Sequence, residues 1–236
     1  MAQRQRTPKA RESSGLGRIS TRETISEGTT KERMMRAGEI VFARDGIHAA
    51  RLGEINELAG QRNSSALHYH FGSRMGLVEA IMLRHQEVID AGITTGLDLL
   101  EARPEVSIRD IVEIPCRFLA TQLETPSGRD FLRIVPQLMH TLGIGVRLGT
   151  PRPITAQSQR VLRLLDDQLS HLPASVRRER LVVYILMISS LFANQAQLIA
   201  SGAAPSLEGP RFVSHAADVI SSALCAPDTS ESPAAE

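Results

Sequence analysis

An all-α protein, with a small helical unit followed by a larger bundle, is what this chain of 236 residues predicts, and three observations carry the prediction. Aromatic residues make up 3 % of the chain, Trp is absent, and the only tyrosines are Tyr69 and Tyr184. The apolar share of 42 % therefore rests on Leu, Ile, Val and Ala, a balance that suits helix packing better than sheets, which favour aromatic and β-branched residues. Apolar positions recur three and four residues apart, behind residues that start helices well. No run alternates with period two between turn residues, and no repeat recurs at a solenoid-like period.

The elements follow in order. Thr29-Thr30-Lys31-Glu32 fits a capping box, with Thr29 as N-cap and Glu32 reaching back. Met34, Ala37, Ile40 and Val41 then repeat at helical spacing, and Gly46 stops that helix. A second helix is expected from Leu52 to Ala59, ended by Gly60, and a third from Asn63, a good N-cap, to His70. Ser73 heads a fourth, expected to reach about Asp90. Ser107-Ile108-Arg109-Asp110 starts another, in which Pro115 should sit early or kink the helix. Further helices are expected over 127–142, 154–171, 174–200 and 210–224, with the Gly- and Pro-rich 143–153 as a loop.

Charge divides the chain less by total than by place. The formal net charge is +1, but residues 1–31 hold seven Lys/Arg (Arg4, Arg6, Lys9, Arg11, Arg18, Arg22, Lys31) against three Glu. With few apolar side chains, residues 1–28 read as a disordered basic arm, and 226–236 as a disordered acidic tail. No apolar leader opens the chain, and LVVYILM (181–187) is short for a bilayer and flanked by polar residues. Cys116 and Cys225 stand in no metal-binding spacing, as expected of reduced thiols in a cytoplasmic protein.

The stretch QRNSSALHYHFGSR (61–74) draws the functional reading. Together with residues 52–60 it forms helix, tight turn and helix, the arrangement that lays its second helix in the major groove of DNA. Leu67 and Ala66 can face inward, leaving Asn63, Ser64, Ser65, His68 and Tyr69 to approach bases or phosphates. A helix beginning at Asn63 would also turn its partly positive N-terminus toward a phosphate beside Asn63 and Ser64.

At this point residues 30–82 resemble the DNA-binding domain of the TetR family of transcriptional regulators. The matching pieces are the first-helix pattern ending in Phe42 and Gly46, then Ile55, Ala59-Gly60, Tyr69-His70-Phe71, Gly72-Ser73-Arg74 and Leu77. The resemblance covers about a quarter of the chain and implies a dimer, a DNA reader over 29–75, and a ligand-binding and dimerisation domain over 76–225. It implies that Tyr69 and His70 touch phosphates and that Arg74 holds the DNA backbone from the start of the fourth helix. Ser64, Ser65 and His68 are then expected to face bases, Arg51 and Arg62 to add phosphate contacts, and Phe71 to belong to the core. Two departures bear on the register. Ten residues, Gln61 to His70, separate Gly60 from Phe71, where most members have nine. Arg51 stands where the family usually has Ser or Thr.

Other chemistries fit the stretch poorly. His68 and His70 point about 200° apart on a helix, with no Cys or carboxylate ligands nearby, so no metal is expected. Asn63-Ser64-Ser65 matches a glycosylation acceptor only by pattern. Gly143-Ile144-Gly145 follows a helix instead of a strand, so it is read as loop and no dinucleotide cofactor is expected. Asp166 and Asp167 are adjacent and diverge, and no nucleophile elbow occurs, so an enzyme is not expected.

In the larger unit, 174–200 is the most apolar helix, with Leu181, Val182, Ile185, Leu186 and Ile188 spread around it, and 210–224 brings Phe212, Val213, Ala216, Val219, Ile220 and Leu224. The resemblance makes these two helices a dimer interface; monomer core is the alternative. A pocket is expected among Phe118, Leu119, Gln122, Phe131, Ile134, Leu138, Met139, Leu142, Met187 and Asn194, with Gln122, His140 or Asn194 orienting a polar group. The expected partners are a palindromic double-stranded operator, a second copy of the chain and a hydrophobic or amphipathic effector, acyl-CoA-like by resemblance. The expected function is a repressor released by that effector. The alternatives are an activator or co-repressor-dependent regulator of the same fold, or a helical interaction module that binds no DNA.

Overall fold

A computed structural model describes residues 25–63, 65–141 and 155–228, apart from the side chains of His140 and Thr141. The described residues form nine α-helices and one short 3-10 turn, with no strand among them. Residues 1–24 of the expected arm over 1–28, the loop over 143–153 and the tail beyond Asp228 lie outside the described residues, as do Ser64 and Leu142.

Helix α1 (Thr30–Asp45) opens on the expected capping box: Glu32 N donates to Thr29 Oγ1 at 3.2 Å and Thr29 N to Glu32 Oε2 at 2.7 Å. It ends at Gly46, whose φ of 90° suits only glycine well. Met34, Ala37, Val41 and Phe42 form its buried stripe. The residues just before it, the last four of the expected arm over 1–28, make contacts with the small unit. Ile25 N donates to Leu58 O at 2.9 Å, Ile25 packs against the core, and Arg33 Nη1 holds Gly28 O at 2.7 Å.

Helices α2 (Leu52–Leu58) and α3 (Ala66–Phe71) complete the small unit. Helix α4 (Arg74–Glu101) runs eleven residues beyond the expected end at Asp90. Gly92 and Gly96, just past that expected end, serve as contact points with α5 (Ile108–Thr121). A Cβ on Gly92 would lie 2.2 Å from Phe118 Cδ1, and one on Gly96 would lie 2.9 Å from Ile114 Cγ2. Close packing here outweighs the roughly 1 kcal/mol that a helical glycine costs. Pro115 sits mid-helix in α5, which continues through it.

After the 3-10 turn (Gln122–Glu124) come α6 (Pro126–Thr141), α7 (Ala156–Gln168), α8 (Ala174–Ala200) and α9 (Gly209–Leu224). Helix α8 packs against α6 and α9, and α9 packs on α5. Among the described residues α8 is the one helix long and apolar enough, by length and composition alone, to cross a membrane. The run 181–187 lies within this 27-residue helix. Here its Leu181, Tyr184, Ile188, Phe192 and Ala196 are buried in the bundle.

The two units share a polar junction. Glu39 of α1 is 0 % exposed and sits against α4 and α6. It accepts from Ser127 Oγ at 2.6 Å and Arg36 Nη1 at 3.0 Å, also from Arg84, and meets His85 Nε2 at 2.9 Å. Burial pushes the Glu39 carboxyl up, but the hydrogen bonds from His85 and Ser127 and the two arginines outweigh it and hold the group below its usual range. Arg36 reaches on to Asp130 at 2.8 Å, and His85 Nδ1 meets Gln122 Oε1 at 2.8 Å.

Candidate nucleic-acid interface and ligand cavity

The turn between α2 and α3 is built by Gly60, whose φ is 68°, and by Gln61, whose N–H donates to Asn56 O at 2.8 Å. The extra residue is absorbed before α3, which starts at Ala66 and not at Asn63. Asn63 is therefore not the N-cap: its Oδ1 accepts from Ser65 N at 2.9 Å, closing a local side-chain turn in the loop. Ser65 takes the N-cap position without a side-chain cap bond. The helix-start argument for Asn63 and Ser64 falls with this boundary.

At about 100° per residue, the six residues of α3 divide cleanly. Leu67 is buried and Phe71 half-buried on the inner face. Ser65 and Tyr69, one turn apart, centre the outer face, and His68 and His70 flank them, all four exposed. Tyr69 is 84 % exposed, the largest exposure among the large hydrophobic side chains here. Its ring meets His70 edge-on, centroids 5.0 Å apart. Gly72, φ 71°, ends α3 by donating to His68 O at 2.8 Å, and Ser73 Oγ caps α4 by accepting from Gly76 N at 3.0 Å.

The expected arginines divide. Arg51 and Arg62 are exposed on either side of α2, Arg51 at its N-cap position with no cap bond. Arg74 turns inward: its Nη1 donates to Ile47 O at 2.7 Å and Ala50 O at 2.6 Å. That ties the loop between α1 and α2 to the head of α4, a structural clamp at the residue expected to hold a DNA backbone.

A second feature lies in the bundle, a cavity of about 190 Å³ among α4 to α8. Phe131, Leu119 and Met139 line it as expected from sequence. The other described pocket candidates do not line this cavity. Phe118 packs on Gly92, Gln122 is buried against His85, Ile134 and Leu138 are core, Met187 packs outside the lining, and Asn194 is exposed on the outer face of α8. The lining that was missed includes Met82, Gln86, Ile89, Asp90 and Ile93 on α4, and Tyr184, Ile185, Ile188 and Phe192 on α8. Their spacing (i, i+4, i+7, i+8, i+11 on α4) was a readable signal, and only Ile93 lies beyond the expected end of α4 at Asp90. Phe131 joins the cavity to the junction, since its ring stacks on His85 with centroids 4.4 Å apart and planes 15° from parallel.

Comparison with known proteins turns on this geometry. No protein-family model and no curated protein matches the chain. Solved structures do. A TetR-like transcriptional regulator from Rhodococcus sp. RHA1 is similar at TM-score 0.53 and 16 % identity, over 85 % of this chain and 96 % of that one. The fatty acid degradation regulator FadR from Bacillus halodurans is similar at TM-score 0.50 and 13 % identity, over 85 % and 97 %. The chain has the TetR-like regulator fold. In the TetR-like fold of this chain, α1–α3 make the small unit with the exposed α3 face, and α4–α9 make the bundle that holds the cavity. The neighbours' names are those of regulators, not enzymes.

Proposed function

We propose that the chain is a dimeric, sequence-specific DNA-binding regulator, acting in the cytoplasm as a repressor that a small hydrophobic or amphipathic effector releases. The observation that carries the reading is the outer face of α3. A short helix held by Leu67 turns a nearly free Tyr69 and Ser65 outward, with Arg62 before it and two histidines beside it. Hydroxyl, imidazole and guanidinium groups on a helix of this kind suit phosphate and base-edge contacts. Arg51, Arg62, Ser65, His68, Tyr69 and His70 are the proposed contacts, with Asn63 in the turn beside them and Ser64, outside the described residues, as a further candidate.

Dimerisation is supported by the outer faces of α8 and α9. Val183 and Leu186 on α8 and Val219 on α9 are exposed apolar side chains, and Ser190 and Asn194 continue the α8 face at helical spacing. Two copies joined there carry two α3 faces, which suits a palindromic operator with half-sites about one helical turn apart. The cavity supplies the effector site. A ligand against Phe131 presses on His85, and through it on Glu39 of α1, so it can favour one arrangement of the two units over another. Only such unequal binding to two arrangements can change DNA affinity.

The test is selection from a pool of random duplexes by the purified full-length protein, with light scattering in parallel on wild type and Leu186→Arg. Recovery of a palindromic site by a dimer, and loss of both dimer and site in Leu186→Arg, is the expected result. Unselective recovery of random duplexes overturns the reading.

A further inference from the structure

The cavity's polar groups say what kind of molecule it takes. On α4, Gln86 and Asp90 lie one turn apart on its wall, and Ser158 lies near the head of α7. Asp90 Oδ1 accepts from Thr155 Oγ1 at 2.9 Å, and no Lys, Arg or His among the described residues pairs with this carboxylate. Burial pushes the Asp90 carboxyl up from its ordinary value, and the Thr155 bond only partly offsets this. Tyr184 is 6 % exposed and lines the cavity, with no hydrogen-bond partner for its hydroxyl among the described residues. Ser189 also lines it, with its hydroxyl given to Ile185 O at 2.7 Å; the remaining described walls are apolar, and no Lys, Arg or His is among the described lining residues.

We propose that the cavity's ligand is a compact, mostly apolar molecule with one protonated amino group, seated with its ammonium on Asp90 and its hydrocarbon between α4, α6 and α8. The inference rests on the reading of the cavity as the effector site.

Three considerations select this class. Size comes first: an apolar cavity of about 150 Å³ holds benzene, so about 190 Å³ suits a molecule somewhat larger than benzene. An acyl-CoA, with its nucleotide and phosphates, far exceeds it and needs basic side chains, of which the described lining residues supply none. Charge comes second. A carboxylate or phosphate ligand would be buried against Asp90 with no cation among the described residues to compensate, whereas an ammonium pairs with a carboxylate that has no cationic partner among them. The third is donor count. An ammonium has three N–H donors and no acceptor, and Asp90, the Gln86 carbonyl and the Ser158 hydroxyl can each accept.

The test is isothermal titration calorimetry on the full-length protein with 2-phenylethylamine, 2-phenylethanol, 3-phenylpropionate and toluene. Wild type is compared with Asp90→Asn, and with Asp90→Ser as a second neutral variant. In wild type the amine should bind about tenfold or more tighter than the alcohol, as a charge-assisted hydrogen bond implies, toluene should bind, and the carboxylate should not. Both variants should erase the amine's advantage while leaving toluene and the alcohol within about threefold. A carboxylate that binds as well as the amine, or an amine advantage that survives both variants, overturns the amine assignment while toluene binding leaves the cavity reading standing. Failure of all four probes, toluene included, overturns the cavity reading itself and the assignment with it.

Discussion

Glu39→Gln is the substitution that most directly probes how the small unit is joined to the bundle. The wild-type carboxylate is fully buried and meets Ser127, His85, Arg36 and Arg84. Glutamine keeps the volume but removes the charge and turns an NH₂ group toward donors. Breaking a buried ion pair by removing one partner costs about 3–5 kcal/mol. Here Arg36 keeps Asp130 at 2.8 Å, and Arg84 is partly exposed and can reach water, which places the cost at the lower end or below. A loss of about 2–3 kcal/mol corresponds to a Tm drop of roughly 4–12 °C in a chain of this size. The pH dependence has a definite sign. The folded carboxyl titrates below its unfolded value, so its contribution is complete above about pH 4.3 and is lost only as pH falls through the lower folded value. The assay is thermal unfolding by circular dichroism at pH 7 and pH 5, with Arg103→Ala as control. Arg103 forms an exposed pair with Asp110 at 3.3 Å, so its removal should change stability by less than about 1 kcal/mol. A Glu39→Gln shift no larger than the control's would refute the claim that this junction holds the two units together.

Three further outcomes follow from the packing. Gly92→Ala places a methyl 2.2 Å from Phe118 Cδ1 and should destabilise by about 1–3 kcal/mol in chemical denaturation, despite alanine's better helix propensity. Asp90→Asn should raise Tm at pH 7, because burial raises the folded carboxyl's pKa and so makes its ionised form a liability. That gain should fade as pH falls through the raised value toward the unfolded one, where both states protonate. Arg74→Ala removes two charge-assisted hydrogen bonds to Ile47 O and Ala50 O and should speed amide exchange in residues 46–51, at a cost of about 2–3 kcal/mol; unchanged exchange there would contradict the clamp.

Much of the fold was readable because local rules and tertiary packing agree. Thr29, Ser73 and Ser107 each cap the helix their spacing suggested, and Gly46 ends α1 where expected. The misreadings occurred where long-range contacts overrode local ones. The fourth helix was expected to end near Asp90, but Phe118 and Ile114 pack into the space that Gly92 and Gly96 leave, and α4 continues to Glu101. Asn63 has a good N-cap side chain, yet the extra residue in the turn moves the helix start to Ala66. Residues of the expected α3 face, Ser65, His68, Tyr69 and His70, do stand exposed together, because a helical stripe opposite Leu67 follows from sequence spacing. Arg74 could not be placed that way, since the carbonyls that hold it belong to a loop 24 and 27 residues earlier. Gln122 looked like a ligand contact for the same reason: nothing local announces its partner, His85.

The measurement that reaches the central claim most directly is fluorescence anisotropy on the duplex recovered by selection, with unrelated competitor DNA at moderate salt. Wild type is compared with the Ser65→Ala, Tyr69→Ala double variant. Both side chains are exposed, so the variant should unfold within about 0.5 kcal/mol of wild type. The account predicts tight wild-type binding that survives competitor and weakens at least about tenfold in the variant. Equal binding by the folded variant, or wild-type binding that competitor abolishes, would contradict the assignment of α3 as the element that reads DNA.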